Sequence, residues 1–180
     1  MKKLLVSSFA FLPALSFAHA GHDGITMSEG FTAGLLHPVM GIDHLFALVA
    51  LGLLLYKLST KRAVFMGGAF LSLMALGFYG AQSGLLHLAS STVEGLIFMS
   101  VGVSAVLLAL YRMVNAQLSS LALLAFAVFH GMAHGVEVPV EVSAHGFALG
   151  FLVACAAIMA VSRLLLKGLV NLRGQSQVVS

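Results

Sequence analysis

From Phe31 onward the chain alternates five long apolar stretches, at about 31–56, 63–82, 91–111, 117–135 and 142–166, with short polar segments. Each stretch is long enough to carry a helix across a hydrocarbon core that needs about 20 residues. The N-terminal 20 residues have a different pattern. Lys2-Lys3 precedes an apolar run of 14 residues, Leu4 to Phe17, interrupted by Pro13 and followed by the small-residue site Ala18-His19-Ala20. That run is too short to span and has the three parts of a secretory signal, so cleavage is expected after Ala20. The pattern predicts an all-α integral membrane protein: a signal peptide at 1–20 and a single transmembrane domain at 21–180, folded as a bundle of about five helices. No internal repeat or long linker divides it.

Composition supports this assignment. Of 180 residues, 60% are hydrophobic and 8% charged, against roughly 25% charged in a soluble domain. These values exclude a soluble globule, a disordered chain, collagen and a disulfide scaffold. The single cysteine, Cys155, lies in an apolar run with no intrachain partner. Glycines spaced four apart, Gly131 with Gly135 and Gly146 with Gly150, would let helix backbones approach closely where water cannot drive collapse.

Charge orients the bundle. With the mature N-terminus outside, Lys57, Lys61, Arg62, Arg112, Arg163, Lys167 and Arg173 all face the cytoplasm, as the positive-inside rule requires. The carboxylates and mature-chain histidines then lie outside or in the outer part of the membrane. The pI of about 9.3 owes two of its nine basic residues to the leader, and no polybasic patch remains. Nucleic acid is therefore not an expected partner.

The unusual feature is eight histidines against six carboxylates, because an imidazole is costly in hydrocarbon and marks a functional site by default. Two constellations hold most of the chemistry. The first is His37-Pro38-Val39-Met40-Gly41-Ile42-Asp43-His44. On a continuous helix His37 and His44, seven apart, share a face; Asp43 would ligate or orient an imidazole, and Pro38 and Gly41 would loosen the backbone. The second is His130-Gly131-Met132-Ala133-His134-Gly135-Val136-Glu137, with His130 and His134 four apart and Glu137 continuing their face. Glu94 adds an acid from another helix. Glu141 and His145 open the last stretch, and His22 with Asp23 lies at the expected mature terminus. His87 sits in a loop. Imidazoles and carboxylates without thiolates suit Ni, Co or Zn. Gly131 follows His130 where a zinc-protease helix requires Glu, and no phosphate-binding loop for ATP occurs. The residues alone leave three readings open: a metal carrier, an intramembrane zinc hydrolase, or a b-type haem protein ligated by His44 and His130.

These motifs resemble those of the HupE/UreJ family of nickel and cobalt permeases: His37-Pro38, Gly41, Asp43-His44-Leu45 and Gly52, then His130-Gly131, Ala133-His134-Gly135 and Glu137. The resemblance covers nearly the whole chain. It implies a multi-pass permease of the bacterial inner membrane that imports Ni²⁺ or Co²⁺ from the periplasm for metalloenzymes such as hydrogenase or urease. It assigns metal handling to His37, Asp43, His44, Glu94, His130, His134 and Glu137. Glu141, His145 and His22 are further candidates for ligation or entry. The metal would be cargo rather than a permanently bound cofactor, and a homo-oligomer or a separate energising partner stays open. Phe70 matches a family aromatic. The chain departs from the family pattern at Leu48, where Met is expected, and at Met159, where members often carry His.

Overall fold

The computed structural model describes residues 26–176, apart from the side chains of Asp43, Ser90 and 173–176. The expected signal segment and His22 lie outside these residues. Within them the chain is all helical: α1 (Met27–Met40), α2 (Ile42–Leu55), α3 (Thr60–Gln82), α4 (Ser90–Ala109), α5 (Ala116–Val136) and α6 (Ala144–Ser176). Four of these, α3 to α6, are long and apolar enough to cross a membrane, and α1 with α2 makes a fifth such element if the pair is one span. The protein is a multi-pass membrane protein.

The stretch read as one helix over 31–56 is instead two helices bent by 79°. Pro38 lacks the N–H that would bond the Gly34 carbonyl, and Gly41 adopts an extended conformation (φ −96°, ψ 107°) that ends α1 and starts α2. The first stretch is therefore broken where the histidine motif sits. At its start, Thr26 caps α1: its hydroxyl accepts from the Glu29 N–H and donates to the Glu29 carboxylate.

Two helix pairs form the frame, and both close on glycine. In the first, α1 runs parallel to α6, with Gly30 and Gly34 against the backbone of Ser143 and Phe147, and Gly146 and Gly150 against Met27 and Phe31. A methyl group at any of these positions would collide with a main-chain carbonyl of the opposite helix. In the second, α3 runs parallel to α5, with Gly77 against Val128 and Gly131 against Met74. Close backbone contact of this kind substitutes for hydrophobic collapse between helices in lipid. Gly52 of α2 sits on the backbone of Met159, so the residue that departs from the family pattern forms part of the packing between α2 and α6. Leu48, the other departure, is buried in the core. The two pairs meet through Phe78, Phe147 and Phe151, all fully buried, with Phe147 stacked on both other rings.

The two ends of the bundle differ in charge. At one end α2 and α4 finish beside Lys57 and Arg163, and α6 runs on past Arg163 to Ser176. Lys57 Nζ donates to the carbonyls of Tyr111 and Val114 after α4, and the Arg163 guanidinium donates to those of Leu55 and Leu58 after α2. Each cation thus bonds carbonyls at or just past a helix terminus, where the Leu55 carbonyl also accepts from the Leu58 N–H. The opposite end, where α1, α4 and α6 begin and α3 and α5 finish, holds Glu29, Glu94, Glu137 and Glu141.

Candidate metal centre

The glycine-tight pairs carry one half of the site each. His37 stands in the last turn of α1, and His134 in the last turn of α5 with Glu137 as its C-cap residue. His37 Nε2 lies 2.9 Å from His134 Nδ1, His134 Nδ1 lies 3.2 Å from a Glu137 carboxylate oxygen, and His37 Nε2 lies 3.6 Å from the same oxygen. Three potential ligand atoms thus face one another, one from each residue. Donor atoms sharing a metal at about 2.0–2.1 Å are separated by about 2.9 Å at a right angle and about 3.3 Å in a tetrahedron. Two sides of the observed triangle, 2.9 and 3.2 Å, match such a coordination sphere, and the third, 3.6 Å, is a few tenths of an ångström longer. Lone pairs this close repel unless a proton or a cation lies between them.

The triad grades from open to closed. His134 is fully buried, His37 is one-third exposed and Glu137 is half-exposed. The Glu137 carboxyl is held well below the usual carboxylate range, first by its hydrogen bond with His134 and then by that with His37. His134 Nε2 is buried and finds no hydrogen-bond partner among the described residues. Phe147 and Phe151 pack on the imidazoles, Phe147 at 5.2 Å from His37 and Phe151 at 4.3 Å from His134 between ring centroids. These two phenyl groups were not expected as part of a site. Their only sequence signal was the Gly146 to Gly150 spacing, which speaks for helix packing.

His44 joins the cluster by a different route from the one the sequence suggests. On a continuous helix it would share a face with His37; across the break it stands at the start of α2, its ring 4.4 Å from His134 and 5.1 Å from His130. The i, i+4 pair of α5 therefore brackets His44, and the bend at Gly41 brings the three together. His130 is buried, its Nδ1 donates to the Phe126 carbonyl at 3.1 Å, and its Nε2 lies 3.4 Å from the Ser100 hydroxyl of α4. Asp43 occupies the first turn of α2 beside His44; its side chain is outside the described atoms.

The remaining candidates are not members of the triad, although Glu94 shares a cavity with Glu137. Glu94 is exposed and, with His87 and Glu137, lines a cavity of about 290 Å³ between α4 and α5 at the acidic end. His145, also exposed, meets the Tyr79 hydroxyl through Nδ1 at 3.3 Å, and Glu141 is exposed in the turn between α5 and α6. Phe70 is buried below His130, in a small cavity it shares with that residue. Gln82 was not singled out by the sequence, yet it closes the end of α5 by donating its amide N–H to the Gly135 carbonyl, and so helps hold the turn bearing His134 and Glu137.

Comparison with known proteins gives a consistent picture. The model of the HupE / UreJ protein family matches residues 7–179. "Protein HupE" of Rhizobium leguminosarum bv. viciae is 33% identical over 143 residues, covering 79% of this chain and 71% of that protein. No solved structure matches.

Proposed function

Because the chain belongs to the HupE / UreJ family, we propose that it is a permease of the bacterial inner membrane that imports Ni²⁺ or Co²⁺ from the periplasm for metalloenzyme maturation. The observation that carries the proposal is the triangle of His37, His134 and Glu137, three donor atoms at or within a few tenths of an ångström of ligand-to-ligand distances between two helix pairs of a multi-pass membrane protein. The acidic end faces the periplasm and the basic end the cytoplasm, as the distribution of lysine and arginine favours. The ion enters at the cavity lined by Glu94 and His87, where carboxylate charge concentrates divalent cations. It loses part of its hydration at Glu137 and passes to imidazoles in the buried cluster. Neutral imidazole and ionised carboxylate bind first-row divalent ions without the thiolates that would hold them too tightly to release. Asp43, adjacent to His44, adds a second carboxylate to the path. The metal is cargo, so binding is weak and exchangeable.

The test is uptake of radioactive nickel, with cobalt and zinc as competitors, in cells that lack their own nickel importer. Wild type accumulates nickel, and His134→Ala and Asp43→Asn abolish accumulation at equal membrane abundance. A wild type that inserts fully but accumulates no nickel or cobalt overturns the proposal.

A further inference from the structure

The imidazoles form a row with a direction. Starting at the half-exposed Glu137, the rings of His37, His134, His44 and His130 follow one another at centroid separations of 4.7, 4.4 and 5.1 Å. His130 lies one helical turn, about 6 Å, further from the acidic end than His134. At this inner end of the row is a cavity of about 10 Å³ between α2, α3, α4 and α5, where His130, Ser100 and Ser104 stand among apolar side chains that include Leu51, Phe70 and Leu123. A space of that size holds one water-sized guest.

Its lining is mainly apolar, and three polar side chains interrupt it. Ser100 and Ser104 lie four apart on the inward face of α4, at 1% and 0% exposure. The Ser100 hydroxyl donates to the Ile97 carbonyl at 2.7 Å, which turns its lone pairs toward His130. The Ser104 hydroxyl has no hydrogen-bond partner among the described residues, although a buried hydroxyl without one costs about 1–3 kcal/mol. Such a group calls for a guest in the cavity it faces.

We propose that this cavity is a second station for the transported divalent cation, built from the hydroxyl oxygens of Ser100 and Ser104 and the imidazole of His130. The inference rests on the permease reading and extends it to the step of release. The outer triad offers one ionised carboxylate and two imidazoles. The inner station offers one imidazole and two neutral hydroxyls, a weaker donor set for a borderline-soft ion. An ion handed inward along the imidazole row meets progressively poorer ligands and is released toward the basic end. Phe70 walls the station on the α3 side.

Two measurements test this. Ser104→Cys replaces the hydroxyl with a thiol at nearly the same volume. When the purified protein is titrated with Co²⁺, a thiolate-to-cobalt charge-transfer absorption appears if the ion reaches the cavity. Wild type and Ser104→Ala are the controls, because the native Cys155 is fully buried elsewhere on α6. In nickel uptake, Ser104→Val, which removes the oxygen and fills the space, lowers the maximal rate about 10-fold or more while leaving KM within about 2-fold, since KM is set at the outer triad. The inference is overturned if Ser104→Cys gives no charge-transfer band with a triad that still binds Co²⁺. It is equally overturned if Ser104→Val transports like wild type, which would make the guest a structural water. Failure of the permease reading shows differently: wild type takes up no metal, while the Co²⁺ titration still decides whether the station binds.

Discussion

Alanine in place of Gly34 tests whether the close approach of α1 to α6 positions the candidate metal centre. An ideal Cβ at Gly34 would lie 2.9 Å from the Phe147 Cα and 2.8 Å from its carbonyl carbon, and closer still to the carbonyl oxygen, whereas ordinary contact begins at 3.4 Å. These are backbone atoms, so no rotamer relieves the collision, and α1 must retreat by about 0.5 Å or more, at a cost of about 1–3 kcal/mol. His37 lies three residues further along the same helix, on the face that carries its Nε2 to 2.9 Å from His134. A displacement of that size exceeds the roughly 0.2 Å tolerance of a metal–ligand distance. Gly34→Ala should therefore lower metal affinity by about 10-fold to 100-fold, the loss typical when a ligand's support is removed. The control is Gly102→Ala on α4, where an added Cβ meets nothing within 4 Å. There the better helix propensity of alanine should stabilise by up to about 1 kcal/mol. The assays are thermal unfolding in detergent and nickel uptake at equal membrane abundance. If Gly34→Ala is as stable and as active as Gly102→Ala, the glycine contact does not set the site's geometry and the reasoning is wrong.

Three further outcomes follow from the charges. The folded state holds the Glu137 carboxyl below its ordinary range, so its contribution to stability is fully present above the usual carboxylate pKa of about 4.3 and is lost only as pH falls through its lower folded value. The gap in thermal midpoint between wild type and Glu137→Gln should accordingly be constant from pH 7 to about pH 5 and shrink only in stronger acid. Arg163→Met keeps an apolar stem but removes the donor to the Leu58 carbonyl and one of the two donors to that of Leu55, which keeps the Leu58 N–H, and should cost about 1 kcal/mol in the same unfolding assay. For orientation, cysteines placed at the exposed positions Val140 and Lys61 in a Cys155→Ala background should react with impermeant thiol reagents from opposite sides of the membrane, Val140→Cys from the periplasm. Labelling of both from one side would contradict the bundle's polarity.

Much of the protein was already determined by linear information. Apolar stretches of spanning length are a local property, and helices α3 to α6 overlap the stretches read from the chain, α6 continuing ten residues past 166, because helix is the way a lone segment in lipid satisfies its own backbone. The residues of the candidate centre were also visible, because an imidazole in an apolar run has no cheap structural explanation. The Pro38 and Gly41 signals announced a weak backbone between His37 and His44, but not that the chain would turn by 79° there. That turn depends on what packs against each half. Only the tertiary structure decided that His37, His134 and Glu137 form the triangle, that His44 lies between the two histidines of α5, and that Glu94 and His145 are not members of the triangle. Those proximities are set by glycine contacts between α1 and α6 and between α3 and α5, pairs far apart in sequence. The serines of α4 were silent in the sequence for the same reason: a hydroxyl in a membrane helix ordinarily bonds its own backbone. Ser104 becomes informative only when four helices border a cavity beside its unpaired oxygen.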